Sequence, residues 1–198
     1  MARAIRSLLV PLALVAASGC GGSGQAPHEH ADFPAPPPRG WRTVRNVEAG
    51  FTLSIPRRWT ARVKRTATVI RSTDKLLVLT VAADRGPDGR ELSPGDYARR
   101  TMDDLPGFEG SVLPHANRVR GSPYRSARVD GAGTLRTTKR PERIMVAAFH
   151  RPGRVTFTVV AFSNSKVPAR FFGPKLREIL RSLRGQPPGQ AQRSGRSG

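Results

Sequence analysis

From residue 41 onward the apolar positions repeat either every second residue or at helical spacing, and the switches between the two periods divide the chain into strands and helices. In Phe51-Thr52-Leu53-Ser54-Ile55 apolar residues alternate with hydroxyls, the pattern of a half-buried strand. Pro56 ends that strand by removing a backbone donor. Glu48-Ala49-Gly50 turns the chain back onto Thr43 to Val47, which predicts a hairpin. Ala67 to Arg71 and Leu76 to Ala83 read as further strands, the second apolar on both faces and so interior to a sheet. The stretch from Arg85 to Arg90, with Gly86, Pro87 and Gly89, is a turn-rich loop. Ser93 and Pro94 then supply an N-cap and a proline at the first helical position. They open a helix through Leu105, with Tyr97, Ala98, Thr101, Met102 and Leu105 on one stripe. Three more strands are expected at Tyr124 to Leu135, Arg143 to Phe149 and Val155 to Phe162, with a bend at Asp130-Gly131 in the first. Residues 151–154 turn the second of these into the third. A closing helix starts near Pro168 or Pro174 and runs to Leu183. Phe172, Leu176, Ile179, Leu180 and Leu183 form its apolar face, opposite Lys175, Arg177, Glu178 and Arg181.

This order predicts an α+β domain over residues 41–184, an antiparallel sheet flanked by helices. Three runs carry a resemblance: Gly50-Phe51-x-Leu53-x-Ile55-Pro56-x-x-Trp59, the helix start Ser93-Pro94-x-Asp96-Tyr97, and the closing Ile179-Leu180-x-Ser182-Leu183. Together they resemble the PsbP-like fold family, whose bacterial members include LpqN-type lipoproteins. The resemblance implies an α-β-α sandwich serving as a binding or assembly module. No residue here matches the sites used by the photosystem or nuclear-transport members, so those roles do not carry over.

Ahead of the domain the chain changes character. Arg3 and Arg6 precede the wholly apolar Leu8 to Ala17, and ten such residues make roughly 15 Å of helix. That is about half the hydrocarbon thickness of a bilayer, too short to span it and suited to a cleavable export signal. Ala17-Ser18-Gly19 and the chain's single cysteine, Cys20, follow. The run resembles the lipobox of bacterial lipoproteins, with Ala17 standing where leucine is usual. The resemblance implies cleavage between Gly19 and Cys20 and a diacylglycerol thioether on Cys20. Residues 1–19 are thus expected to be a signal peptide, and the mature protein is expected at the extracytoplasmic face of the cell membrane, held by lipid. Residues 21–40, Gly-rich and then Pro-rich, read as a linker. As a flexible coil it reaches about 25 Å, and extended as polyproline about 60 Å. Both exceed the Debye length of about 8 Å. The tether alone therefore does not press the domain onto anionic headgroups, and a basic face would be needed to do so. Residues 185–198 contain little to bury and read as a disordered tail.

Charge then widens the range of partners. The chain has 34 Lys+Arg and 14 Asp+Glu; without residues 1–19 the balance is 32 − 14 = +18. Export argues against nucleic acid as the partner, and the cations stand apart from aromatics that would stack bases. The arginines are spread through strands, turns and tail and form no block. Two explanations stand open: the codon usage of a GC-rich genome, or selection for an anionic partner. With Cys20 lipidated no thiol is left for disulfides, zinc or nucleophilic catalysis.

Candidate sites in the sequence are few. His28-Glu29-His30 could place two imidazoles on one side of an extended chain, but further ligands must come from elsewhere, so no metal site is expected. Gly19-x-Gly21-x-x-Gly24 follows no strand and is split by the expected cleavage, so its match to the dinucleotide fingerprint is accidental. His115 and His150 lie far apart. Trp59, just after a strand, is expected to cap the core and not to stack a ligand. Asp103 and Asp104 diverge by about 100° on a helix and cannot chelate together; they are expected to offset Arg99 and Arg100. No catalytic residue, cofactor or metal is assigned. Three functions follow in order: a non-enzymatic envelope module that binds a protein or envelope component, a basic binder of anionic polymers or lipid headgroups, and a hydrolase or metal enzyme whose site forms only in the fold. The amino-terminal peptide recovered from native membranes is expected to begin at Cys20 and to carry acyl mass. An unmodified Cys20 in mass spectrometry would refute the anchor.

Overall fold

The structure, a computed structural model, describes residues 36–186 apart from Pro114, Thr138 and 152–154. These residues belong to the second of two compact units, Ala31–Gly198. Gly19, Cys20, His28, Glu29 and His30 lie outside the described residues. The described chain runs β1 (Trp41–Asn46), β2 (Phe51–Pro56), β3 (Thr60–Val63), β4 (Ala67–Arg71), β5 (Leu77–Asp84), α1 (Asp88–Glu91) and α2 (Pro94–Asp103). It continues through β6 (Phe108–Val112), β7 (Arg125–Leu135), β8 (Pro141–Arg151), β9 (Val155–Asn164), α3 (Ala169–Ser182) and β10 (Arg184–Gly185). Two antiparallel sheets result, a small one in the order β1-β2-β10 and a large one in the order β3-β4-β5-β9-β8-β7-β6. The fold is the α+β arrangement that the pattern of periods calls for.

The large sheet buries apolar residues on both faces, and β8 shows how. Met145, Ala147 and Phe149 point to one side and Ile144, Val146 and Ala148 to the other, all of them buried. On the first side Phe51, Leu53 and Ile55 of β2 and Phe172, Ile179 and Leu180 of α3 close the core. The Phe51 and Phe157 rings meet edge to face, centroids 5.9 Å apart at 74°. On the second side α2 lays Ala98 and Met102 against Val129, Ile144 and Val146. Ser93 caps α2 through a hydrogen bond from the Asp96 N–H, with Pro94 at the first position. At α3 the structure takes the earlier of the two expected starts: Pro168 is the N-cap and Pro174 lies inside the helix.

Several elements depart from the expected pattern. The edge strands β3 and β6 were not expected; neither contains a buried residue, so neither shows the alternation that marks a half-buried strand. One helical turn, α1, occupies the end of the stretch expected to be loop. Gly185 and Gln186, read as the start of the tail, are bound to the domain. Gly185 pairs with Phe51, its N–H donates to the Tyr124 hydroxyl at 2.7 Å, and the Gln186 N–H donates to the Gly50 carbonyl at 2.8 Å. Backbone pairing requires no side chain to bury, so composition does not reveal it. β6 is held to β7 by another means. Gly110 and Gly133 face each other across the pair, and the Phe108 ring covers both: a Cβ on Gly133 would stand 2.6 Å from that ring. The aromatic ring takes the place of the two absent side chains. Gly133→Ala is expected to destabilise the domain by about 1–3 kcal/mol in urea unfolding. A Cβ there would also press on the Glu109 carbonyl oxygen and stand 2.6 Å from the Gly110 Cα, so in a Phe108→Ala background most of the cost is expected to remain, and a cost abolished in that cycle would show that the ring alone excludes the side chain.

Candidate functional site

α3 turns its apolar stripe into the core, which fixes where its cations go. Arg170, Arg177 and Arg181 are spaced i, i+7 and i+11, within about 20° of one line along the helix at 100° per residue. Between them Gly173 and Pro174 present little side chain, and a groove of about 460 Å³ opens there. Its floor is apolar, with Leu77, Met145, Ala161, Phe172 and Leu176. Across it β7 contributes Arg128 and Asp130, and β8 contributes Arg143; the β7–β8 register pairs Asp130 with Met145 and so sets both strands' side chains on this face. A second groove of about 380 Å³ shares Arg128 and Arg177 and adds Arg118, Arg120 and Arg181. The two together hold seven arginines and one acid, Asp130. Asp130 is paired with Arg128, Nε to Oδ2 at 2.9 Å, both side chains only partly exposed. Arg181 Nε donates to the Arg120 carbonyl at 3.2 Å, and Arg143 Nη1 to the Val167 carbonyl at 3.5 Å. Seven arginines that stand apart in the sequence are therefore brought together by the fold.

The residues singled out in the sequence lie elsewhere. Trp59 is buried in the core, where the Arg42 guanidinium donates to its carbonyl at 3.1 Å. His150 is buried on β8 with its Nδ1 3.2 Å from the Thr156 hydroxyl, which in turn donates to the Gly89 carbonyl. His115 is exposed in the segment between β6 and β7. Asp104 sits 3.9 Å from Arg100, and the same guanidinium reaches Asp88 at 3.1 Å. Among the described residues no three His, Cys, Asp or Glu side chains converge, and no helix is long and apolar enough to cross a membrane. The groove is the feature that one-dimensional reading misses; its single linear trace is the 170, 177, 181 spacing.

No family model matches the chain, and no curated protein matches it by sequence. Solved structures do match. The Ran-binding protein Mog1p of Saccharomyces cerevisiae superposes with a TM-score of 0.54 at 13% identity, covering 73% of this chain and 95% of that one. Cyanobacterial PsbP (CyanoP) from Synechocystis gives 0.51 at 12% identity over 84% of this chain and 97% of that one. LpqN of Mycobacterium tuberculosis, involved in cell envelope biogenesis, gives 0.50 at 16% identity over 74% and 91%. The chain spans only 50% of a Bacteroides thetaiotaomicron protein that it also matches, at a TM-score of 0.50 and 12% identity. At these identities the similarity is one of fold: the domain has a PsbP-like α+β fold.

A second polar cluster lies on the α2 side of the large sheet. The Tyr97 hydroxyl donates to Asp84 Oδ2 at 2.8 Å, and Asp84 Oδ1 accepts from the Gly86 N–H at 2.7 Å. These bonds tie the end of β5 to the first turn of α2. Burial raises the Tyr97 phenol above its ordinary value of 10.0, and the Asp84 charge acts in the same direction. A raised folded value means the folded state keeps the phenol proton longer than the unfolded chain does. The corresponding stability is complete below about pH 10 and falls as the pH rises through the folded value. Tyr97→Phe is expected to lower the unfolding free energy by about 1–2 kcal/mol at neutral pH and to flatten the alkaline decline. Denaturant curves unchanged at both pH values would show that the bond contributes nothing.

Proposed function

We propose that the protein is an exported, non-enzymatic binding module of the cell envelope, anchored by lipid on Cys20, and that its working surface is the basic groove along α3. The observation that carries the groove's assignment is its composition: seven arginines and one already paired carboxylate around an apolar floor. Arginine forks bind carboxylate and phosphate oxygens in bidentate fashion, and the floor offers burial to a hydrocarbon portion. The ligand that suits both is an anionic, partly apolar envelope component. The only carboxylate in the groove is held by Arg128, so the groove offers cations and not a base for proton transfer. The fold is in keeping with such a role, since similar domains occur in a Ran-binding protein and in a protein of cell envelope biogenesis.

Octyl phosphate and octyl glucoside, which share a chain and differ in head charge, separate the contributions. Calorimetric titration is expected to show binding of the phosphate that weakens from low to moderate salt, and weaker binding or none of the glucoside. Arg128→Gln and Arg177→Gln are each expected to weaken the phosphate by about tenfold, the scale of a lost hydrogen bond to a charged group. Equal affinity for both amphiphiles, or binding insensitive to salt, would overturn the assignment.

A further inference from the structure

We infer that the corner where β1 meets β3 is a docking surface for the anionic headgroups of the membrane that carries the anchor; the choice of occupant rests on the lipid-anchor reading above. β1 and β3 belong to different sheets, yet side chains clamp them side by side. At one end the Arg42 guanidinium donates to the Trp59 carbonyl at 3.1 Å. At the other the buried Asn46 amide donates to the carbonyls of Lys64 at 2.9 Å and Ala67 at 3.1 Å. The joined edge and the turn that connects it expose six cations: Arg45, Arg57, Arg58, Arg62, Lys64 and Arg65. Between residues 39 and 65 the only acid is Glu48, 3.7 Å from Arg65 in a bridge whose partners are 66% exposed or more. Such a bridge neutralises little in water.

A charged edge strand also discourages strand-to-strand aggregation. One or two cations on β3 would serve that purpose, whereas here the charge extends over two sheets and the turn between them. The position of the chain entry singles out the membrane. The Trp41 N–H bonds to the Pro38 carbonyl and the Arg57 N–H to the Gly40 carbonyl, each at 2.9 Å, so the segment leading to Cys20 joins the domain at this corner. Cations within a Debye length of an anionic leaflet are each attracted to it, and this corner is the part of the domain nearest its tether along the chain.

The docking also leaves the groove at a distance. In the large sheet β3 and β8 are four strand spacings apart, roughly 19 Å at about 4.8 Å each. The arginines that β7 and β8 give the groove are thus farther from this edge than the headgroup field of about 8 Å reaches. These arginines remain available for a ligand while the corner holds the surface.

The test uses the chain from residue 20 with Cys20→Ser, so that no lipid contributes, and vesicles of phosphatidylcholine with or without phosphatidylglycerol at about 0.15 M salt. Cosedimentation is expected only with phosphatidylglycerol. The triple variant Arg62→Gln, Lys64→Gln, Arg65→Gln is expected to lower partitioning on the order of a hundredfold, about fivefold per cation. The variant Lys139→Gln, Arg140→Gln, Lys166→Gln removes the same charge from exposed positions outside both the corner and the groove and is expected to bind nearly as the parent does. Equal loss in both triples, no dependence on phosphatidylglycerol, or an unaltered β3 triple would overturn the docking surface. So would soluble polyphosphate held at the corner as tightly, per phosphate, as the vesicles, which would make it a polymer site. An unacylated Cys20 in native membranes would remove the anchor and leave the vesicle result standing, so the two failures can be told apart.

Discussion

The fold depends on one requirement, that both faces of the large sheet be kept from water. β8 and β9 place apolar side chains on each side in alternation, and leaving either side exposed would forfeit roughly 25 cal/mol for each Å² of apolar surface. Neither layer alone can satisfy both sides. The small sheet and α3 fill one face, and α2 fills part of the other. The chain order follows from this: a hairpin that starts the first layer, the sheet itself, a helix inserted for the second layer, and a terminal helix that returns to complete the first.

Surface chemistry is a by-product of that burial. Once Phe172, Ile179, Leu180 and Leu183 are committed to the core, the remaining arc of α3 has a fixed outlook, and whatever occupies it lines a groove against β7 and β8. Arginine there, in place of lysine, gives planar donors suited to paired oxygens, and the Arg181 fork is already oriented by the Arg120 carbonyl. The basic corner at β1 and β3 arises differently, because edge strands have no second neighbour and their side chains are free to be charged. Two basic surfaces thus have separate structural origins and stand at different ends of the sheet order.

How much of this is legible in one dimension depends on how local the cause is. α2 is announced by Ser93 and Pro94, α3 by its apolar spacing, and β2 by strict alternation, because each is set by neighbours in sequence. β3 and β6 are not, since an edge strand buries too little to impose a period. β10 is held by backbone bonds to β2 and by the Tyr124 hydroxyl, partners distant in sequence that leave no trace in its own side-chain types. The groove is the hardest to read. Arg128 and Arg143 come together only through the β7–β8 register, and Arg118 and Arg120 only through the path of the segment before β7. Only the stripe of Arg170, Arg177 and Arg181 is local, and on its own such a stripe looks like any solvated helix face.

The pairing of β10 with β2 has a mechanical consequence. β1 enters at Trp41 opposite Pro56, and β10 leaves at Gly185 opposite Phe51, so entry and exit lie at opposite ends of β2. β1 and β10 run in the same direction on its two sides. Tension applied between the two ends of the domain therefore pulls the outer strands lengthwise along β2 in opposite senses. All the hydrogen bonds of both pairs then resist at once in shear, instead of opening one after another as in a peeled hairpin. A load carried from the start of β1 to the end of β10 would run along the grain of the smaller sheet.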